Sequence, residues 1–183
     1  MLCDKTRSQL LIIDVQQRLC AAMAETVLSP LLRNTTILIT AARALQIPLL
    51  ITEQYPQGLG ETHELIKAAL PHDQTFYSKT CFSSCGARDN TPLQTADART
   101  QFVLTGMEAH VCVLQTALEL KQRGAAVFVV EDAVCSRFTP QFNNAIARLR
   151  AEGVIISNTE SVLFEWLRDA NHPQFKALAQ LIR

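Results

Sequence analysis

Short runs of apolar residues, each closed by a polar or turn-forming residue, alternate along this chain with stretches of three- and four-residue periodicity. Leu10–Ile13 ends at Asp14, Ile47–Thr52 opens into the turn-rich loop Glu53–Gly60, and Phe102–Leu104 leads to Gly106. Ala126–Val130 runs into Glu131-Asp132, Val154–Ile156 is a last run, and Thr75–Ser78 is a weaker one with Lys79 directly after it. Runs this short and this apolar are expected of strands covered on both faces. Between them the spacing predicts helices. Ser29 reads as a cap and Pro30 as the first residue of a helix with Leu31, Ile37, Leu38, Ala41, Ala42 and Leu45 on one face. Further helices are expected over His63–Leu70, Thr91–Ala98, Val113–Lys121 (stopped by Gly124), Pro140–Glu152, Ser161–Leu167 and Phe175–Ile182, with Val15–Met23 a loop or short helix and Thr80–Asn90 a loop.

Strands alternating with helices at this spacing imply an α/β fold: a three-layer, doubly wound parallel sheet with helices on both faces. Ligands bind such sheets beyond the carboxyl ends of the strands, where the strand order reverses. Asp14, Glu53, Lys79, Asp132 and the turn carrying Cys112 all fall at predicted strand ends.

Composition narrows the picture. A chain of 183 residues is expected to form one domain, residues 1–183, with a sizeable core. Lys+Arg and Asp+Glu balance at 17 each, so charge gives no case for a nucleic-acid or anionic-membrane partner. No apolar run approaches the roughly 18 residues of a membrane span. The opening MLCDKTRSQLLIID lacks the apolar core and cleavage site of a secretory signal, and a cytoplasmic protein is expected. The six cysteines read as reduced thiols. Cys81 and Cys85 form a C-x3-C pair with no second pair of ligand spacing, so no metal site is expected.

Cys112 is the candidate nucleophile. A thiol at the first turn of a helix feels partial positive charge and unpaired N–H groups, which favour its thiolate. Asp14 could accept its proton and return it to a leaving group. Lys79 could hold the thiolate and orient the aspartate, and backbone N–H groups around Cys112 could bind an oxyanion. Each residue also has a plainer reading: a small core residue for Cys112, a turn former for Asp14, a solvated charge for Lys79. His110 is two positions from Cys112 and does not naturally face its sulfur. Tyr55, Phe82 and His110 are candidate pocket walls from their loop positions. Trp166 and Phe175 read as core or interface.

The segments LLIIDVQ (10–16), FYSKTCFS (76–83), GMEAHVCVLQTAL (106–118) and VEDAVCSR (130–137) together resemble the isochorismatase-like cysteine hydrolases, relatives of nicotinamidases and N-carbamoylsarcosine amidases. The loop ITEQYPQGLGET and the C-terminal stretch resemble the isochorismatase domain-containing subgroup. The resemblance implies a six-stranded parallel sheet, a triad of Asp14, Lys79 and Cys112, a cis peptide at Met107-Glu108, and oxyanion donors from the backbone at Cys112 and Glu108. It also implies homo-oligomers, for which the apolar C-terminal region would suit an interface. Nicotinamidases bind a metal through an Asp-x-His pattern after the second strand; here that place reads Glu53-Gln54-Tyr55, so no metal and no cofactor is expected. The expected activity is metal-independent cleavage of a C–N bond in a small-molecule amide or carbamoyl substrate through a thioester. The alternatives are an isochorismatase-type vinyl-ether hydrolase, in which Cys112 is dispensable, and a non-catalytic small-molecule-binding protein on the same fold.

Overall fold

The computed structural model describes residues 1–86, 93 and 99–183. The predicted helix Thr91–Ala98, apart from Leu93, and the end of the predicted loop Thr80–Asn90 lie outside them. Six parallel strands form one sheet in the order β3-β2-β1-β4-β5-β6: β1 Ser8–Ile13, β2 Leu49–Gln54, β3 Phe76–Lys79, β4 Gln101–Met107, β5 Ala126–Cys135 and β6 Ile155–Ser157. The order reverses between β1 and β4, so Asp14 and the Cys112 turn flank the switch point.

Strand side chains alternate between the two faces. Leu10, Ile12, Ile51, Val103 and Phe128 meet α2 (Glu25–Ala44), α4 (Glu64–Ala69), α7 (Thr159–Leu167) and α8 (Phe175–Ala179) on one side. Leu11, Ile13, Leu50, Leu104 and Val129 meet α5 (Leu114–Gln122) and α6 (Thr139–Ala151) on the other. The short helices α1 (Gln17–Ala21) and α3 (Pro56–Leu59) follow β1 and β2. Trp166 is fully buried and its indole donates to Ser8 Oγ at 3.0 Å. Val162, Leu163, Leu167 and Leu178 are buried with it, so most of the apolar C-terminal positions pack inside the chain itself. No helix among the described residues is long and apolar enough to cross a membrane.

Several boundaries differ from the sequence reading, and three of the differences have a physical reason in the packing or register. α2 starts at Glu25, not Ser29, and carries Pro30 inside it. Proline there removes the bond that the Thr26 carbonyl would accept, and packing of Val27 and Leu28 against the core holds the first turn regardless. β2 extends through Glu53 and Gln54, both buried, although the turn-rich loop was expected to begin at Glu53. β5 runs on past Glu131-Asp132 to Cys135. Leu104 pairs with Val129 and Gly106 with Val134, two steps on β4 against five on β5. The extra residues form an irregular excursion that holds the two acids.

Candidate active site

Asp14 follows β1 directly and has φ +52°, a left-handed conformation that aspartate tolerates better than most residues. Its carboxylate is fully buried. Oδ1 accepts from the Thr52 hydroxyl at 2.7 Å and Oδ2 accepts from the Lys79 ammonium at 2.6 Å.

Lys79 ends β3, two places from β1, so its side chain has to reach across β2. Gln54, its register partner on β2, meets it on the way. Lys79 Nζ donates to Gln54 Oε1 at 2.7 Å, to the Phe82 carbonyl at 2.9 Å and to the Cys81 carbonyl at 3.3 Å, besides Asp14. An ammonium has three N–H donors, and four acceptors saturate them. Lys79 therefore neutralises and fixes Asp14 and has no donor left over for a substrate. Gln54 is fixed in turn by the fully buried Gln16. Gln16 Oε1 accepts from the Gln54 N–H at 2.7 Å, and Gln16 Nε2 donates to the carbonyls of Gln54 and Gly60 at 3.0 and 2.6 Å. Sequence reasoning missed both glutamines; the only available signal was their place at the ends of apolar runs.

The nucleophile turn follows β4. Gly106 has φ +116°, and a Cβ there would lie 2.0 Å from the Ile13 carbonyl oxygen, so only glycine lets β4 close on the end of β1. The Met107-Glu108 peptide is cis, as the resemblance implied. Ala109–Val113 then forms one wide, π-type turn, with the Val113 N–H donating to the Glu108 carbonyl at 3.3 Å and the Leu114 N–H to the Ala109 carbonyl. An ordinary first α-turn was expected at Cys112; α5 instead begins two residues later, at Leu114.

Cys112 is 5% exposed, and Asp14 and Lys79 both bear on its ionisation. Burial, and after it the Asp14 carboxylate, push the thiol up to about 12, with Lys79 offsetting only part of this. The direction favours the neutral thiol over the thiolate expected from its helix position. Removal from water outweighs the pull of the helix end, and the positive charge of Lys79 is already matched by Asp14. Cys135 and Cys20 are likewise pushed up, to about 12 and about 11, mainly by burial.

These shifts carry a stability prediction. A folded-state pKa above the unfolded value means that the folded protein holds protons the unfolded chain gives up. The stabilisation is complete below about pH 9, the ordinary value for these thiols, and is lost as pH rises towards about 12. Urea unfolding at pH 8 to 11 is expected to show stability flat at first and then falling, by about 1.4 kcal/mol per pH unit for each of Cys112 and Cys135. A Cys112→Ala, Cys135→Ala double variant should show a shallower fall.

The remaining sequence candidates divide. Glu108 Oε2 accepts from the Arg137 N–H at 2.9 Å and from Arg137 Nε at 3.2 Å, so its carboxylate is turned to the end of β5. His110 Nδ1 lies 3.0 Å from Ser136 Oγ and is engaged there. Tyr55 and Phe82 are both more than half exposed on the segments that hold Lys79: the Tyr55 N–H donates to the Lys79 carbonyl at 2.8 Å, and the Phe82 carbonyl accepts from Nζ. Glu53 and Asp132, grouped with the site by sequence, serve elsewhere. Glu53 Oε1 accepts from the N–H and hydroxyl of Thr62, both at 2.7 Å, and Asp132 Oδ1 accepts from the N–H and hydroxyl of Thr159 at 2.8 and 2.9 Å, at the start of α7. All six cysteines are unpaired.

Comparison with known proteins gives a consistent result. Residues 8–161 match a family model described as the isochorismatase domain. Isochorismatase domain-containing protein 2 of Bos taurus is 43% identical over 150 residues, 80% of this chain and 70% of that protein. Its counterpart from Danio rerio is 37% identical over 177 residues, 96% of this chain and 86% of that protein. The solved structure of the MAR1 ribonuclease from Caenorhabditis elegans is 34% identical with a TM-score of 0.91, covering 100% of this chain and 92% of that one.

Proposed function

The chain belongs to the isochorismatase family, and from that premise we propose that it is a cysteine hydrolase that cleaves the C–N bond of a small amide or carbamoyl compound. The observation that carries this reading is the wholly buried Asp14–Lys79 pair set against Cys112, whose ionisation burial and the carboxylate both oppose. A neutral thiol needs a base only at the moment of attack, and Asp14 is a base held in place by a cation. In this reading the Cys112 sulfur attacks the carbonyl carbon as its proton passes to Asp14. The S–C bond forms, and the resulting oxyanion is held by the backbone N–H of Cys112 and a second at the Glu108 turn. Asp14 then gives the proton to the leaving nitrogen, the C–N bond breaks, and a thioester remains. Water attacks the thioester, its proton goes to Asp14, the S–C bond breaks, and the sulfur recovers the proton.

No metal takes part in these steps. At the place where nicotinamidases carry a metal-binding pattern, the Glu53 carboxylate is taken up by Thr62 and the Gln54 side chain by Lys79 and Thr80. Tyr55 and Phe82 supply exposed aromatic surface for an apolar part of the substrate.

The test is a panel of small amides, carbamoyl compounds, isochorismate and RNA, the last because the C. elegans relative carries a ribonuclease name. Release of ammonia or an amine, with an acyl group trapped on Cys112, is the expected result. Isochorismate turnover that survives in Cys112→Ala would select the vinyl-ether reaction instead. Cleavage of RNA alone would overturn the C–N assignment, and binding without any turnover would leave a binding protein.

A further inference from the structure

Asp14, Lys79 and Cys112 come from three elements, and Lys79 stands on the edge strand, with β2 and β1 between it and β4. Sheet hydrogen bonds alone leave open how the lysine end keeps step with the nucleophile turn. The segment that follows Lys79 supplies a direct link. Its carbonyls at Cys81 and Phe82 accept from Lys79 Nζ, and its next residues lie along one face of α5 and its end. The Ser84 N–H donates to Thr116 Oγ1 at 2.9 Å, Ser83 Oγ donates to Glu119 Oε2 at 2.8 Å, and Arg123 Nη2 donates to the Cys85 carbonyl at 3.3 Å. Positions 116, 119 and 123 are one, two and three turns along that face. Of these contacts, only the one between Ser84 and Thr116 joins two fully buried residues.

The same Thr116 hydroxyl donates to the Cys112 carbonyl at 2.7 Å. A threonine bonded to the carbonyl four residues back is common in helices and by itself means little. Here the hydroxyl has a second partner, the segment that clamps Lys79. Ser84 Oγ also lies 3.5 Å from the Thr52 hydroxyl, which donates to Asp14. One oxygen thus ties the backbone of the nucleophile to the segment that fixes both the ammonium and, through Thr52, the carboxylate.

We propose that Thr116 is a positioning residue: its hydroxyl keeps the Cys112 sulfur in line with the Asp14–Lys79 pair. The proposal rests on the reading of Cys112 as a nucleophile activated by that pair. Without the hydroxyl, the Ser84 N–H and the Cys112 carbonyl each lose a partner inside the protein and find others only by moving. Turn and segment then slip relative to each other, and a displacement of about 1 Å between reacting groups slows a reaction by roughly 10²-fold.

The experiment is site-resolved alkylation of the full chain by iodoacetamide, followed by peptide mass spectrometry. Cys135 serves as the internal standard; it is 3% exposed, and its shift owes nothing to the Asp14–Lys79 pair. Thr116→Val, which keeps the shape and removes the hydroxyl, is expected to slow Cys112 by about 10²-fold relative to Cys135. Thr116→Ser, which restores the hydroxyl, should recover most of the rate. A Val variant that alkylates like the wild type, or a Ser variant as slow as Val, overturns the proposal. If circular dichroism shows Thr116→Val to be unfolded, Thr116→Ala, a better helix former with no extra volume, is read in the same way. Asp14→Asn is run in parallel. If it too leaves the Cys112 rate unchanged, the nucleophile reading itself fails; if Asp14→Asn slows Cys112 and loss of the Thr116 hydroxyl does not, only the positioning role fails.

Discussion

Cys112→Ala is expected to abolish hydrolysis of any amide that the protein cleaves, with turnover down at least ~10³-fold and the fold retained. The sulfur is the group that forms and breaks a bond in each half of the reaction, and neither Asp14 nor the saturated Lys79 can replace it. Cys112→Ser is expected to fail almost as badly. A hydroxyl is a far weaker acid than a thiol, so the same carboxylate draws off its proton far less readily. The fold should tolerate both changes, since the thiol sits at the end of the core with a small open face and the variants remove or exchange only one atom. Turnover assays on purified variants check this. Retained turnover in Cys112→Ala would move the chemistry to Asp14 acting on water or on a vinyl ether.

The second large effect is on stability. Asp14 and Lys79 form an ion pair with both side chains wholly out of water. Removing one member of such a pair leaves the other charge buried without its partner, which costs about 3–5 kcal/mol. The two losses should differ. In Asp14→Asn the ammonium keeps three neutral acceptors, Gln54 Oε1 and the carbonyls of Cys81 and Phe82. In Lys79→Met the carboxylate keeps only the Thr52 hydroxyl and the weak S–H donor of Cys112 as side-chain partners among the described residues. Lys79→Met is therefore expected at the upper end of that range and Asp14→Asn at the lower end. The double variant should lose less than the sum of the two, because no buried charge is left. Urea unfolding at pH 7 checks the order and the coupling; equal losses that simply add would contradict a shared, desolvated pair.

Period and punctuation in the sequence made the sheet legible. Apolar runs with Asp14, Lys79 and Gly106 at their ends placed the strands, and Gly124 and Gly153 marked the stops of α5 and α6. What was hidden depended on contacts distant in sequence. Ser29-Pro30 carries a local helix-start signal, yet Val27 and Leu28 extend the helix one turn earlier by packing against the core. Glu131-Asp132 looks like a strand end because charge interrupts the apolar run, and only the lengthened register against β4 shows the strand resuming. Gln16 and Gln54 are ordinary polar residues in sequence; they matter because folding stacks the ends of β1, β2 and β3 around one ammonium. The environment of Cys112 is hidden for the same reason: helix position is local, whereas burial and a charge-matched ion pair, which push its thiol up, emerge only from the assembled sheet.

The most direct test of the Asp14–Lys79 pair as the activator of Cys112 compares two thiols within one molecule. Cys112 and Cys135 are about equally buried, and both are pushed up to about 12. They differ in that Cys112 is hydrogen-bonded to the wholly buried Asp14–Lys79 pair, whereas the Glu108 carboxylate, paired with the half-exposed Arg137, acts on Cys135 through its charge alone. Iodoacetamide at pH 7.5 (roughly physiological) is expected to modify Cys112 about 10²-fold faster than Cys135, the scale of general-base assistance. Equal rates at the two sulfurs in the folded wild-type protein would contradict the account.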